Sequence, residues 1–377
     1  MSLLSPVLAR LGLSVLALAV LTACSTPPKD SPALTPPPAV PDKPVQAAPD
    51  WGTDARLSQD AVVLVRYGSN RAGAVEDCDP KNYRNQFQAT VRHGGCWVAM
   101  PVNRAVGELP MDQADKRDNA RMVRSMGTPE PLRSKALVFV HGFNVDFQES
   151  VLRAAQIAHD LKWPGDVWVY SWPAGRNCSL VNPTCMVKTY QDNQESAAKS
   201  VALLAQWLGE VGQRYAPANL NLLVHSMGHQ IAVPALKQWV QSGRPAMNTV
   251  FFNAPDYDWR RFLNDAATVR RAAKQFTVYC SFKDKALSAS ALWSGNARLG
   301  ECEQVSGYDV INVSGLSNSL VDLGHGYYYS RPIVMDMKET MAGVPPENRL
   351  FVVRASAKGS EIDNMPPGAT VSNRRPR

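Results

Sequence analysis

The sequence predicts an α/β fold with a mostly parallel central sheet and helices on both faces. Three observations carry that expectation. Short apolar runs alternate with stretches of helical period from about residue 136 to residue 313, and such alternation builds parallel sheets through helical crossovers. Many of the runs are apolar almost throughout, as strands covered on both faces must be. Small or polar residues follow the runs closely, where open parallel sheets place their sites.

Taken in order, Ala61 to Val65 reads as a buried strand and Trp97 to Val102 as a weaker one. Ala136 to Val140 is the next, followed by a helix with Val151, Ala155 and Ala158 on one face. After the strand Val167 to Tyr170, Ala197, Val201, Leu204 and Leu208 recur at helical spacing. Leu220 to Val224 is a strand, and Ala232, Ala235, Leu236, Trp239 and Val240 mark the helix behind it. Thr249 to Phe252, an Arg- and Ala-rich helix from Trp259 to Ala273, Phe276 to Cys280 and a last strand, Val310 to Val313, complete the series. No internal repeat is visible.

The N-terminus reads as a targeting segment over residues 1–23. Arg10 precedes an apolar run, Leu11 to Leu21, that is too short to span a bilayer. Leu21-Thr22-Ala23-Cys24 has the form of a lipoprotein processing site, with Cys24 as the acylated residue. An ordinary secretory signal with a chance cysteine is the plainer alternative. Residues 24–53 are Pro-rich and read as an extended tether. The folded domain is expected over residues 54–342, and residues 343–377 as a basic, partly disordered tail. Resemblance to bacterial lipoproteins implies the periplasmic face of the outer membrane, because Ser25 rather than Asp follows the cysteine.

The net charge is +7, with Arg374, Arg375 and Arg377 at the end of the tail. We read these arginines as a solvated segment able to touch anionic lipid heads. Nucleic acid is not an expected partner of an exported, anchored chain. Cys78, Cys96, Cys178, Cys185, Cys280 and Cys302 remain once Cys24 is set aside. In an oxidising envelope they read as disulfides, otherwise as buried thiols. Short loops favour Cys78–Cys96, Cys178–Cys185 and Cys280–Cys302, but six cysteines allow 15 pairings.

Val224-His225-Ser226-Met227-Gly228 joins a strand to a helix through a sharp turn. A serine there has its hydroxyl lifted clear of the sheet, and Gly228 lets the turn close. A serine nucleophile needs a base, and the base needs an acid to orient it. With the order serine, acid, histidine, the candidates are Ser226, Asp284 and His325. Asp256, after the preceding strand, is the alternative acid, or else a helix N-cap. The oxyanion donors are expected to be the backbone N–H groups of Met227 and Phe143. His141 reads as a loop-shaping residue. His225 and His229 are four apart, like two metal ligands, but the Glu of a zinc protease motif is missing. No metal and no cofactor are called for.

With these residues in hand, the chain resembles an uncharacterised bacterial family of α/β-hydrolases of the esterase/lipase superfamily, from about Val62 to Met341. The resemblance rests on Phe139 to Asn144, Tyr170-Ser171-Trp172-Pro173, His225 to Gly228, Ala254-Pro255-Asp256, Ser281 to Leu287 and Gly324-His325. Tyr67 to Arg71, Met100-Pro101 and Gly107 also match. It implies the α/β-hydrolase fold and the same triad, but no substrate. Val224 departs from the pattern, since Gly or Ala usually stands two residues before the nucleophile. The expected activity is cleavage of an ester-containing small molecule or lipid. The alternative is a catalytically silent scaffold or binding protein of the envelope. Segment 174–189 is expected as a disulfide-braced cap over the pocket, or else a surface loop.

Overall fold

The computed structural model describes residues 61–73, 78–101, 104–110, 122–124, 131–175, 185–316, 325–354 and 360–362. The expected signal segment, Cys24, the tether, Cys178, Gly324 and the C-terminal arginines lie outside the described residues. The elements are β1 (Ala61–Arg71), β2 (Phe87–Met100), β3 (Met122–Arg124), β4 (Ala136–Val140), α1 (Phe147–Asp160), β5 (Asp166–Ser171) and α2 (Cys185–Gly212). They continue with β6 (Leu220–His225), α3 (His229–Gln241), β7 (Met247–Asn253), α4 (Trp259–Val269), β8 (Ala273–Cys280) and α5 (Lys285–Ser294). The last are β9 (Asp309–Asn312), α6 (Arg331–Met341), β10 (Val352–Arg354) and β11 (Ser360–Ile362).

The described strands form one sheet in the order β10-β11-β9-β8-β7-β6-β4-β5-β1-β2-β3. From β11 across to β1 every neighbouring pair is parallel. β10 at one edge, and β2 and β3 at the other, are antiparallel. The expected α/β-hydrolase fold is therefore present. The alternation of side chains along each strand divides the core in two. Val138 and Val140 of β4 pack with α2, α3 and α4 on one face. Leu137 and Phe139 pack with α1 and α6 on the other.

Local chemistry sets several boundaries. Asp146 caps α1 by accepting from the Glu149 N–H at 2.8 Å, and Asp258 caps α4 through Arg261 N–H at 2.8 Å. The expected helix from Trp259 to Ala273 is shorter. It stops at Val269, turns through Arg270–Ala272, and Ala273 already opens β8 opposite Met247. Part of the basic, partly disordered tail expected over residues 343–377 falls among the described residues. β11 pairs with β9, Phe351 and Ile362 are in the core, and buried Arg349 donates to Asp309 at 2.8 Å. These strands have three residues each, too few to show a period.

Two expected disulfides are present, Cys78–Cys96 and Cys280–Cys302. Cys185 is also disulfide-bonded, to a partner outside the described residues. Residues 185–189 open α2, with Cys185, Met186 and Thr189 buried. That part of the expected cap is therefore helix. Residues 176–184 lie outside the description. Among the described residues no helix is long and apolar enough to cross a membrane.

Candidate active site

Three loops at the carboxyl edge of the sheet build the site. β6 ends at His225, and Ser226–Gly228 form a single tight turn before α3. Ser226 has φ 53°, in the left-handed region. Its carbonyl accepts from His229 Nδ1 at 2.7 Å and from the Asp256 N–H at 3.3 Å. A Cβ at Gly228 would lie 2.6 Å from the His141 carbonyl oxygen, and one at Gly142 would lie 2.7 Å from Ser226 Cβ. Both positions must be bare for the elbow to sit against the loop after β4. Val224 is buried in register with Val140 and Phe252, so its branched side chain is absorbed by the sheet core.

The structure brings Ser226, His325 and Asp284 into one hydrogen-bonded chain. His325 Nε2 lies 2.8 Å from Ser226 Oγ. His325 Nδ1 lies 2.7 Å from Asp284 Oδ2. Asp284 stands four residues past β8, and its other oxygen accepts from the Leu287 N–H at 3.0 Å, capping α5. Its loop is fixed by bonds from the Lys283 N–H to Ser281 Oγ (3.1 Å) and the Phe282 N–H to Ser314 Oγ (2.8 Å). All three side chains are buried.

His325 is steadied from behind. The His225 ring lies 4.9 Å from the His325 ring and 4.1 Å from Tyr328, centroid to centroid, and bonds to the His325 backbone. Burial, then the neighbouring His325 and His229, hold His225 well below the ordinary histidine range. Burial likewise brings His229 down to about 3. Each is therefore neutral, and each has its own structural task. Among the described residues no group of three metal-ligating side chains occurs.

Of the two expected oxyanion donors, Met227 follows the serine in the chain, and Phe143 follows Gly142, whose Cβ position is 2.7 Å from Ser226 Cβ. Met227 is in the first turn after β6, where backbone N–H groups have no acceptor within the helix. Phe143 lies in the turn after β4, its ring 5.7 Å from that of Tyr190. The next residue, Asn144, donates its N–H to Asn193 Oδ1 at 3.4 Å, so α2 ties the loop down.

Asp256 is not brought to His325. Its oxygens accept from Tyr190 Oη (2.9 Å) and Ser290 Oγ (2.5 Å), and Arg298 Nε is 3.3 Å away. Nor is it an N-cap, since Asp258 takes that place on α4. The alternative acid is thus a buried ion-pair partner. A cavity of about 530 Å³ lies beside this cluster, lined by Gln194, Val201, Gln230, Tyr257, Arg261 and Arg298 among others. Ser226, Asp284 and His325 do not line it. Sequence reasoning missed Tyr190, His225 and Tyr328 as supports. The tyrosines carry no motif of their own, and the spacing of His225 from His229 points to a metal rather than to a support for His325.

Two outcomes follow from this geometry. Asp256→Ala should lower stability by about 3–5 kcal/mol in urea unfolding, because Arg298 would be left buried and unpaired. If Asp284 and not Asp256 serves His325, the same variant should keep any ester-cleaving kcat within about tenfold. The second outcome concerns acid. His141, His225 and His229 have folded pKa values below the unfolded value of 6.5. As pH falls through 6.5 the unfolded chain takes up protons that the fold refuses, so stability drops. Each group contributes a slope of up to about 1.4 kcal/mol per pH unit, which for His229 ends near its folded value. Urea midpoints at pH 7.5, 6 and 5 should decline, and less steeply in His229→Asn.

Comparison with known proteins fits this architecture. The family described as an alpha/beta hydrolase of unknown function (DUF900) matches residues 124–343, more than half of the chain. No curated protein sequence matches. Solved esterases are remote likenesses. A hyperthermophilic esterase from the archaeon Pyrobaculum calidifontis is 12% identical with a TM-score of 0.33, over 91% of this chain and 93% of that one. A thermostable esterase from Pseudomonas putida is 14% identical with a TM-score of 0.31, over 68% and 80%. Fungal esterases from Rhizomucor miehei give 12% and 0.32, over 89% and 91%. Likenesses this distant carry no argument.

Proposed function

The chain belongs to this family of α/β-hydrolases of unknown function, and from that premise we propose that it is a serine hydrolase cleaving carboxylic esters through an acyl-Ser226 intermediate. The observation that carries the reading is the hydrogen-bonded chain Ser226–His325–Asp284, at 2.8 and 2.7 Å, from segments 99 and 41 residues apart. Nothing in packing alone requires those three groups to meet.

The chemistry follows from the contacts. His325 Nε2 takes the Ser226 hydroxyl proton as Oγ attacks the ester carbonyl. The carboxylate of Asp284, on Nδ1, fixes the ring's orientation and stabilises its charge as it forms. The tetrahedral oxyanion is received by the N–H groups of Met227 and Phe143. The protonated ring then hands its proton to the departing alkoxide, leaving acyl-Ser226. Water, deprotonated by the same ring, releases the acid and restores the serine.

Place and substrate class are part of the same proposal. Leu21-Thr22-Ala23-Cys24 and the Pro-rich stretch behind it support a lipid anchor at Cys24. An anchored enzyme on the periplasmic face of an outer membrane would meet ester-containing small molecules or lipids.

Active protein should be labelled at Ser226 by a fluorophosphonate probe and should hydrolyse p-nitrophenyl esters. Ser226→Ala should abolish both, and Asp284→Asn should lower kcat by about 10⁴. Folded wild type that neither labels nor turns over would end the proposal. For the anchor, Cys24→Ala should move the protein from the membrane to the soluble fraction; unchanged membrane partition would rule out acylation there as the tether.

A further inference from the structure

Arg71, the last residue of β1, is fully buried beside the loop that carries Phe143. Its Nε donates to Ser171 Oγ at 2.9 Å, Nη1 to Asn85 Oδ1 at 2.5 Å, and Nη2 to the Val145 carbonyl at 2.7 Å. Nη2 also lies 3.5 Å from His141 Nε2. Among the described residues no carboxylate pairs with it; Asp146 and Glu149 act only at a distance. Burial lowers its pKa to about 9, so it stays charged at neutral pH. A buried cation without an ion pair is costly. Packing alone would be better served by an apolar side chain of similar size.

The guanidinium sits at the Nε2 edge of His141. The Trp172 N–H donates to His141 Nε2 at 3.1 Å, so Nε2 must offer a lone pair. His141 Nδ1 lies 3.0 Å from the Gly142 carbonyl oxygen, which can only accept, so Nδ1 must carry the proton. Burial, and next the charge of Arg71, hold the ring neutral, well below the ordinary histidine range. The ring is stacked on Trp172 at 5.5 Å, and Trp172 Nε1 donates to the His141 carbonyl at 2.8 Å. It has no freedom to turn over.

The Gly142 carbonyl and the Phe143 N–H belong to one trans peptide and point in opposite directions. Gly142 itself lies against Ser226. We propose that His141 and Arg71 are positioning residues for the oxyanion donor: the Trp172 N–H, with the Arg71 guanidinium beside it, holds His141 as the Nδ1–H tautomer, and that N–H, bound to the Gly142 carbonyl, turns the Gly142–Phe143 peptide so that the Phe143 N–H faces an acyl group on Ser226. The inference rests on the serine-hydrolase reading for its catalytic half, while its tautomer half stands on geometry alone.

The test has two arms. In wild-type protein, ¹⁵N NMR of the histidine rings should show His141 protonated at Nδ1 and bare at Nε2, and Arg71→Met should keep that tautomer while letting the ring take up a second proton at higher pH than in wild type. In the kinetic arm, His141→Asn places an amide N–H where Nδ1–H was, whereas His141→Gln places it near Nε2. The Asn variant should keep kcat within about tenfold of wild type. The Gln variant should lose about 10²–10³ in kcat, the usual effect of one missing oxyanion donor, with KM little changed. An Nε2–H or charged His141 in wild type overturns the proposal. So do equal kcat losses in the Asn and Gln variants while Ser226 still labels with fluorophosphonate. Should Arg71→Met not fold, the wild-type tautomer and the Asn/Gln pair still decide. If wild type neither labels nor hydrolyses esters, the serine-hydrolase reading fails with the catalytic half, and the ring spectrum judges the rest.

Discussion

Ser226 holds a backbone φ of 53°, which costs a residue with a Cβ about 1–3 kcal/mol and persists only where the surroundings over-determine it. The surroundings here do so from several sides. The Ser226 carbonyl is held by His229 Nδ1 and the Asp256 N–H. The turn is pressed onto the loop after β4 at two glycines, Gly142 and Gly228, where an added Cβ would strike its neighbours. Parallel pairing of β6 with β4 and β7 sets the height at which all this occurs. The direction of the Ser226 hydroxyl, and with it the contact to His325 Nε2, depends on that one strained residue.

Two aspartates after consecutive strands divide the work. Asp284 follows β8 and uses one oxygen to cap α5 and the other to meet His325. Capping and orienting the histidine are thus one function: the helix amide fixes the carboxylate so that its second oxygen faces the ring. Asp256 follows β7 and is surrounded by Tyr190, Ser290 and Arg298. Its contribution to the site passes through the backbone, since its N–H braces the serine carbonyl.

Much of this was legible in the sequence, and what was not has physical reasons. The buried parallel strands announce themselves because both faces are apolar, and the elbow because few residue orders permit a serine at that turn. The order serine, acid, histidine puts Asp284 ahead of Asp256, and the structure sets Ser226, Asp284 and His325 together. β3, β10 and β11 escaped because three residues show no alternation. α5 is not legible because its apolar residues, Ala286, Leu287, Ala289, Ala291, Leu292 and Trp293, do not keep to one face. Arg71 and His229 were visible as residues but not as actors. Their effect depends on which carbonyl or ring nitrogen they meet, and spacing carries no record of that.

The histidines show why position decides role. The chain has six, and His141, His225, His229 and His325 are all buried at this rim. At His141, His225 and His229, burial holds the ring neutral. Each neutral ring is therefore a fixed pair of one donor and one acceptor. In that state His141 can hold a carbonyl and an N–H at once, and His229 can hold the serine carbonyl. His325 differs in having a carboxylate on Nδ1 and a hydroxyl on Nε2. A positive charge formed there meets its counter-charge at 2.7 Å, whereas at His141 it would meet Arg71. The proposed proton transfer thus has one suited ring among these four, and the neutral three keep the scaffold around it in place.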